Sequence, residues 1–180
     1  MKLIAIRHLA PLQAEGLCYG HSDLAVDAQA NAQAAVSLRT SLPSFPVYSS
    51  PLQRCLSLAS LLGRTVQTDD RLRELNFGDW EMQPWDRIDR ADIDAWAADT
   101  VHYQPGGAES LLQMTIRVSA FLRTLQVQNL DGVILVTHAG VLKILSHWDA
   151  AASDVDIAQR VATRDLRFSY GSCTHFDFLM

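Results

Sequence analysis

Five side chains of this sequence could together bind and transfer a phosphoryl group. They are two arginines, two histidines and a glutamate: Arg7, His8, Arg54, Glu74 and His138. A guanidinium can bind phosphate oxygens through two parallel hydrogen bonds, and a histidine can act as a covalent nucleophile. A carboxyl group can supply the proton that a leaving oxygen needs. The set predicts a phosphate centre if the fold brings these residues together.

Two short apolar stretches predict how the histidines are positioned. Leu3–Ile6 and Val133–Val136 are rich in β-branched residues, which is typical of buried parallel strands. His8 follows the first stretch and His138 follows the second. Ligands of open α/β sheets bind beyond the carboxyl ends of strands, so neighbouring strands would bring both histidines to one site. From the first stretch alone, a surface arginine with a capping histidine is an equal alternative.

The remaining elements alternate between helices and strands, which favours parallel pairing in an α/β fold. In the first half, two helices are predicted, from Asp27 to about Thr40 and from Ser50-Pro51 to about Gly63, the second with Ser50 as N-cap. Strands are predicted at Val47–Ser49 and at Val66, and one or two short helices within 84–99. The second half is predicted to hold an amphipathic helix from Ser110 to about Val127 with Leu112, Ile116, Phe121 and Leu125 near one face, a helix from 139 to about Trp148, a helix over 154–160 and an edge strand over 172–178.

Arg54 falls in the first turn of the predicted helix after Ser50-Pro51. A cation there opposes the helix dipole, because the amino terminus of a helix favours negative charge. The position therefore indicates a neighbouring anion, with an arginine that extends into water as the alternative.

Composition excludes several classes of protein. The 180 residues are 48% hydrophobic and 19% charged, which predicts one globular domain over residues 1–180. The net charge of −5 argues against a nucleic-acid partner. No apolar run is long enough for a membrane span, and Leu3–Ile6 is too short for a signal peptide, so we expect a cytoplasmic protein. The three cysteines form no CxxC and no histidines pair as zinc ligands, so we expect no disulfide, metal or cofactor.

Five motifs in this order resemble the histidine phosphatase superfamily, which includes the phosphoglycerate mutases. The motifs are Ile6-Arg7-His8, Ser49–Arg54, Leu72–Glu74 with Phe77–Glu81, Pro105–Ser110 and Val136–Val141. The resemblance extends through nearly the whole chain. It implies a three-layer α/β/α sandwich with a mixed, mostly parallel central sheet.

The resemblance also implies roles for the candidate residues. His8 would be the phosphohistidine nucleophile, Glu74 the proton donor and acceptor, and Arg7, Arg54 and His138 the phosphate pocket. The substrate would be a small-molecule phosphomonoester, hydrolysed without a metal. Ala139, Tyr19 and His21 are further candidates for substrate binding, and surface packing is the alternative for the last two.

The segment after His8 departs from the family pattern. Leu9 stands where the family usually has glycine, and Ala10-Pro11-Leu12 replaces the common Glu or Gln, Thr and Asn. The usual asparagine contact to phosphate is therefore missing or supplied elsewhere. Gly16–Leu24 is similar to the α-ribazole phosphatase branch, whose members remove the phosphate of α-ribazole 5′-phosphate late in cobalamin assembly.

Two other functions stay open at this point. A mutase would move phosphate between substrate hydroxyls, but family mutases carry a C-terminal tail over the site. This sequence stops at Met180, just after its last predicted strand, which favours an open site and hydrolysis. A non-catalytic phospholigand-binding module is the third alternative. The oligomeric state is open, with a homodimer as one alternative.

Other polar and aromatic residues are expected to be structural. We expect Glu81 to be a solvated loop carboxylate, with contact to the site as the alternative. The remaining residues expected to pack or cap rather than bind substrate are His102, His147, His175, Trp80, Trp85, Trp96 and Trp148.

Overall fold

Five strands form one mixed sheet in the computed structural model, which describes residues 1–128 and 130–178. The strands are β1 (Lys2–Arg7), β2 (Val47–Ser49), β3 (Val66–Thr68), β4 (Gly132–Thr137) and β5 (Cys173–Asp177). The helices are α1 (Ala28–Ser41), α2 (Gln53–Ser60), α3 (Arg90–Ala98), α4 (Leu111–Gln126), α5 (Ala139–Leu145) and α6 (Asp154–Ala162). The sheet order is β3-β2-β4-β1-β5, with β5 alone antiparallel to its neighbour.

Helices cover both faces of this sheet and make three layers. Because side chains of a strand alternate between faces, Ile4 and Ile6 of β1 pack with the helices α1 and α2. Leu3 and Ala5 point the other way and pack with α4, α5 and α6. The predicted α/β/α sandwich with a mostly parallel sheet is confirmed, and burial on both faces explains why the central residues of β1 and β4, Leu3–Ile6 and Val133–Val136, are apolar.

The register of β1 and β4 brings the two histidines together. The strands are parallel, and Arg7 pairs with Thr137 at their carboxyl ends. The backbone N–H of His8 donates to the carbonyl of Thr137 at 3.0 Å. His8 and His138 therefore leave adjacent strands at the same level, as the two apolar stretches predicted.

The helix after β2 begins later than predicted. Ser50 is not its N-cap, because α2 starts at Gln53 and Leu52 occupies the cap position. The hydroxyl of Ser50 instead lies 2.8 Å from Nε2 of His138. Arg54 still falls in the first turn of α2, as expected.

Two further helix predictions need correction. The buried stripe of α4 is Met114, Val118, Phe121 and Leu125, whereas Ile116 is 46% exposed. The spacing of apolar residues on α4 allowed two stripes, and packing against the sheet selected the one that includes Met114. The other correction concerns α5, which ends at Leu145 rather than near Trp148.

Three other expectations from the sequence concern membrane-spanning helices, the cysteines and the end of the chain. None of the helices in the described ranges has the length and apolar character needed to cross a membrane. Cys18, Cys55 and Cys173 are free thiols. The expectation that rested on the end of the chain at Met180 concerns a residue outside the described ranges.

Candidate active site

A cavity of about 330 Å³ opens at the carboxyl edge of the sheet, where β1 and β4 end. Its polar end contains Arg7, His8, Arg54 and Glu74. The other lining residues are Leu17, Tyr19, Leu75, Phe77, Trp85, Trp96, Leu111, Met114, Ala139, Gly140 and Lys143. Four of the five residues first singled out in the sequence thus meet in one cavity.

His8 presents one ring nitrogen to this cavity in a defined state. Its Nδ1 lies 2.6 Å from the carbonyl oxygen of Leu9, which can only accept, so Nδ1 carries the proton. Nε2 therefore keeps its lone pair. Burial lowers the pKa of His8 to about 3, and the charges of Arg54 and Arg7 act in the same direction. The imidazole is neutral near pH 7.

Leu9 does not disturb this arrangement, although the resembling family usually has glycine there. Position 9 orients His8 through its carbonyl group, which every residue type has. Its backbone does not occupy the left-handed region that favours glycine. The leucine side chain lies against Gly171, where an added Cβ would come within 2.8 Å of Leu9 Cδ2.

Arg54 is fully buried and held in one orientation by three hydrogen bonds. Nη1 donates to the carbonyl of Ser22 at 2.7 Å, and Nη2 donates to that of Gly20. Nε donates to Nδ1 of His138 at 3.3 Å. The remaining N–H groups of the guanidinium are available to a ligand in the cavity.

Within residues 1–128 and 130–178, no carboxylate forms an ion pair with either cavity arginine, Arg7 or Arg54. An unpaired charge held away from water is costly, and an anionic ligand relieves that cost. The polar end of the cavity is therefore built to accept an anion.

His138 is fully buried and lies behind the cavity rather than in its lining. Because Nδ1 accepts from Arg54, Nε2 must carry the proton, which it donates to the Ser50 hydroxyl at 2.8 Å. Burial, followed by the charge of Arg54, lowers the pKa of His138 well below its ordinary value. Its ring centroid is 5.1 Å from that of His8.

Glu74 reaches the cavity through an opening that only glycine provides. Its carboxylate accepts hydrogen bonds from the backbone N–H groups of Gly140 and Leu75, both at 3.0 Å. A Cβ on Gly140 would lie 2.1 Å from Glu74 Oε1, so any other residue would displace the carboxylate. The first turn of α5 and the Glu74 side chain therefore fit together.

Arg117 of α4 fixes the backbone that carries Glu74. Its guanidinium donates to the carbonyls of Arg71, Arg73 and Glu74 at 2.7–2.8 Å. Glu109 pairs with it through two hydrogen bonds of 2.6 and 2.8 Å. Sequence reasoning missed Arg117, because an arginine on a helix resembles any solvated one until its partners are known.

We compared the sequence and the structure with those of known proteins. The model of the histidine phosphatase superfamily (branch 1) matches residues 3–173. The chain belongs to this superfamily. The assignment confirms the predicted family and enzyme class.

Relatives and solved structures carry several phosphatase names. The adenosylcobalamin/α-ribazole phosphatase of Escherichia coli is 34% identical over an alignment of 158 residues, and the match covers 81% of this chain and 77% of that protein. "Putative phosphoserine phosphatase 2" of Hydrogenobacter thermophilus is 29% identical over an alignment of 103 residues, and the match covers 53% of this chain and about half (51%) of that protein. The α-ribazole phosphatase structure from Shigella flexneri has a TM-score of 0.81 and 26% identity, covering 98% of this chain and 90% of that one.

Glu81 of this histidine phosphatase is not the solvated carboxylate that the sequence suggested. It accepts from the backbone N–H groups of Gly20, His21, Ser22 and Phe77 at 2.8–3.0 Å, and from the Ser22 hydroxyl. Burial alone would raise the pKa of Glu81, but these hydrogen bonds outweigh it and hold the pKa below its usual range. Nor does Glu81 line the cavity, so the alternative is wrong as well.

The secondary candidates divide between the cavity and its surroundings. Tyr19 and Ala139 line the cavity, whereas His21 is not among the lining residues. Trp85 and Trp96, expected only to pack, also line it, with their rings stacked at 6.4 Å and 5°. They reach the cavity because the segment 84–98 passes over its apolar end. In the described residues, no three His, Cys, Asp or Glu side chains are grouped as metal ligands.

Proposed function

We propose that this protein is a metal-independent phosphomonoesterase that forms a phosphohistidine at Nε2 of His8. One arrangement supports the proposal above all. A neutral histidine with a free Nε2 lies in a cavity beside Arg7 and Arg54, two guanidiniums that pair with no carboxylate in the part of the chain that the structure describes. Glu74 lines the same cavity and can exchange a proton with the substrate.

In the first step, the phosphate group binds between the two guanidiniums, and His138 keeps Arg54 oriented. Nε2 of His8 forms a bond to phosphorus while the bond from phosphorus to the leaving oxygen breaks. Glu74 gives a proton to that oxygen, so the leaving group departs as an alcohol.

In the second step, water hydrolyses the phosphohistidine. The Glu74 carboxylate takes a proton from the water, whose oxygen bonds to phosphorus as the bond to Nε2 breaks. The products are inorganic phosphate and neutral His8, and Glu74 is again protonated. Arg7 and Arg54 stabilise the negative charge on the phosphoryl oxygens in both steps, which is the work that a metal does in other phosphatases.

The apolar end of the cavity indicates the kind of leaving group. Phe77, Trp85 and Trp96 form an aromatic wall, with Phe77 edge-on to both tryptophans at 5.9–6.0 Å. A second cavity of about 430 Å³ continues from Trp96 past Lys143. A leaving group with a flat ring would gain stacking against this wall.

We therefore propose α-ribazole 5′-phosphate as the best single substrate candidate. Its base would pack on the aromatic wall while its phosphate lies at the arginines. The names of the Escherichia coli and Shigella flexneri relatives support this choice. The phosphoserine phosphatase name of another relative favours testing alternatives, since similar catalytic residues serve unrelated phosphoesters.

The substrate is tested by comparing kcat/KM for α-ribazole 5′-phosphate, phosphoserine, a sugar phosphate, a mononucleotide and phosphoglycerate. We expect α-ribazole 5′-phosphate to give the highest value. A competitor that exceeds it by about tenfold, or about 1.4 kcal/mol of transition-state binding, refutes the substrate but leaves the phosphatase. Isomerised phosphoglycerate without phosphate release would instead indicate a mutase.

The intermediate is tested by quenching turnover of a ³²P-labelled ester in denaturant. We expect label on His8 that is lost in acid and retained in base, as for a phosphoramidate. His8→Ala should lose both label and turnover while still binding phosphate. Undiminished turnover in His8→Ala, or absence of hydrolysis of every ester by the wild type, refutes the proposed mechanism.

A further inference from the structure

The turn formed by residues 168–172 is bound to the backbone that carries the nucleophile. The N–H of Gly171 donates to the carbonyls of Arg7 and His8 at 3.1 and 3.2 Å. The N–H of Arg7 donates in return to the carbonyl of Ser172 at 3.0 Å. This turn lies outside every motif recognised in the sequence, yet its position relative to the site is fixed.

The same turn presents an aromatic ring to the guanidinium of Arg7. The central carbon of the guanidinium lies 3.8 Å from the ring centroid of Tyr170, which is a close cation–π contact. Nη1 of Arg7 donates to the carbonyl of Phe168. Nε is buried and has no hydrogen-bond partner among the described residues. The plane of this guanidinium is therefore set by one hydrogen bond and by the Tyr170 ring.

Tyr170 is also connected to the second arginine of the site. Its hydroxyl lies 2.7 Å from the hydroxyl of Tyr19, and the Tyr19 ring centroid lies 5.4 Å from the central carbon of the Arg54 guanidinium. Burial, followed by the hydrogen bond to Tyr170, raises the pKa of Tyr19 above its usual range. Tyr19 therefore stays protonated near neutral pH, and the hydroxyl pair keeps its hydrogen bond.

Tyr170 does not pack in the hydrophobic core. It is 42% exposed and belongs to none of the buried clusters. Its described contacts are with Arg7, Tyr19 and the ring of His8, whose centroid is 5.6 Å away. An exposed ring with these three neighbours contributes more to the site than to folding.

We propose that Tyr170 is a positioning residue for phosphate binding, whose ring orients the guanidinium of Arg7 and whose hydroxyl bond to Tyr19 holds that ring in place. The chain of contacts Arg7–Tyr170–Tyr19–Arg54 sets the spacing of the two guanidiniums before the anion arrives. Such preorganisation lowers the cost of ordering side chains on binding. The inference rests on the proposed function in one respect, that phosphate is the anion these arginines bind.

The first test measures the dissociation constant of inorganic phosphate by calorimetry with the full chain. Tyr170→Leu removes the ring, and we expect about tenfold weaker binding, equivalent to about 1.4 kcal/mol. Tyr170→Phe and Tyr19→Phe each remove the same hydrogen bond, so each should weaken binding by about threefold. The double variant should be no weaker than either single one, because the bond can be lost only once. Additive losses, or no loss in Tyr170→Leu, would overturn the proposal.

The second test asks whether Tyr170 acts through Arg7. Lysine keeps the charge but lacks the planar group that stacks on a ring. In an Arg7→Lys background, Tyr170→Leu should therefore change phosphate binding by less than about twofold. A tenfold loss in both backgrounds would mean that Tyr170 acts by another route. Tyr103→Phe, which removes a hydroxyl that contacts Asp92 away from the cavity, is the matched control and should bind phosphate normally.

Kinetics separate this inference from the proposed function. With p-nitrophenyl phosphate, Tyr170→Leu should raise KM by about tenfold and change kcat by less than about threefold. A wild type that binds phosphate in a Tyr170-dependent way but hydrolyses no ester refutes the proposed function and leaves the positioning role intact. A wild type that does not bind phosphate overturns the positioning role.

Discussion

Glu81 and Arg54 hold opposite sides of the same short loop. The Glu81 carboxylate accepts from the N–H groups of residues 20–22, while the Arg54 guanidinium donates to the carbonyls of Gly20 and Ser22. The loop thus lies between an anion and a cation that have no direct contact. The Glu81 carboxylate orients the N–H groups of this loop, and this fixes the carbonyls to which Arg54 donates. Glu81 therefore influences the cavity through the orientation of Arg54.

We predict that Glu81→Gln lowers kcat/KM by at least about tenfold. The amide keeps the shape but places an N–H₂ group against backbone N–H donors, and hydrogen bonds to a charged group contribute about 1.5–3 kcal/mol each. The loss should be accompanied by weaker binding of inorganic phosphate, because Arg54 loses its fixed carbonyl partners.

Asp79→Asn is the matched control for Glu81→Gln. Asp79 is an exposed acid on the same turn, and it should tolerate the change with unaltered kinetics. Equal kinetics for Glu81→Gln and the wild type would show that the loop keeps Arg54 oriented without the carboxylate.

The fold could be predicted because its signals are local. Two apolar runs that each end in histidine predict neighbouring buried strands, and β1 pairs with β4 in that way. Capping residues also act locally, and Asp27 and Ser110, from which two of the helices were predicted to start, are the N-caps of α1 and α4. Ser50 is not the N-cap, because the backbone becomes helical only after Leu52, and its hydroxyl accepts from the N–H of Leu52 at 3.4 Å and contacts His138, which is 88 residues away in the chain.

The residues that hold the catalytic side chains in place could not be predicted, because their partners lie far away in the sequence. Glu81, Arg117 and Tyr170 act through partners on distant segments, and the sequence around each of them does not show which groups it binds. Tyr170 meets Tyr19 across 151 positions of the chain. The approach of Gly140 to Glu74 is likewise visible only when both segments are in place.

We predict that Glu74→Gln lowers kcat by about 10²–10⁴, the usual contribution of general acid–base catalysis. The amide has the same shape but cannot deliver a proton, and its N–H₂ group replaces one of the two oxygens that accept from the N–H groups of Leu75 and Gly140. Because Glu74 also activates water in the second step, the two esters are compared in the first step alone. The loss in the first-turnover rate should be smaller for p-nitrophenyl phosphate than for an alkyl phosphate, because nitrophenolate departs without protonation. Stopped-flow measurement of the alcohol or phenol released in the first turnover provides this comparison.

Glu15→Gln, a change at an exposed loop carboxylate, is the control for Glu74→Gln and should leave both rates unchanged. An equal loss on the two esters would place Glu74 outside proton transfer to the leaving group.

We predict that activity survives removal of divalent metal ions. The proposed mechanism assigns charge stabilisation to Arg7 and Arg54, whose guanidiniums already face the cavity. Dialysis against EDTA followed by assay in metal-free buffer should leave kcat/KM within about twofold of the value for the untreated enzyme. A loss that a divalent cation restores would transfer this role to a metal.

We predict that the ligand-free protein loses stability as the pH falls from about 6.5 towards about 3, and that His8 carries part of this loss. An unfolded histidine titrates near its ordinary pKa of 6.5, whereas burial lowers the pKa of folded His8 to about 3. Between these values the unfolded chain binds the extra proton, so stability is complete above about 6.5 and decreases by up to about 1.4 kcal/mol per pH unit below it. Urea unfolding in phosphate-free buffers measures the slope of the free energy of unfolding against pH.

His8→Asn removes one titrating group, so its profile should be shallower than that of the wild type over this range, with His138 and other groups supplying the residual slope. Parallel profiles for the two proteins would mean that the pKa of folded His8 stays near its ordinary value, so that burial does not keep the imidazole neutral below about pH 6.5.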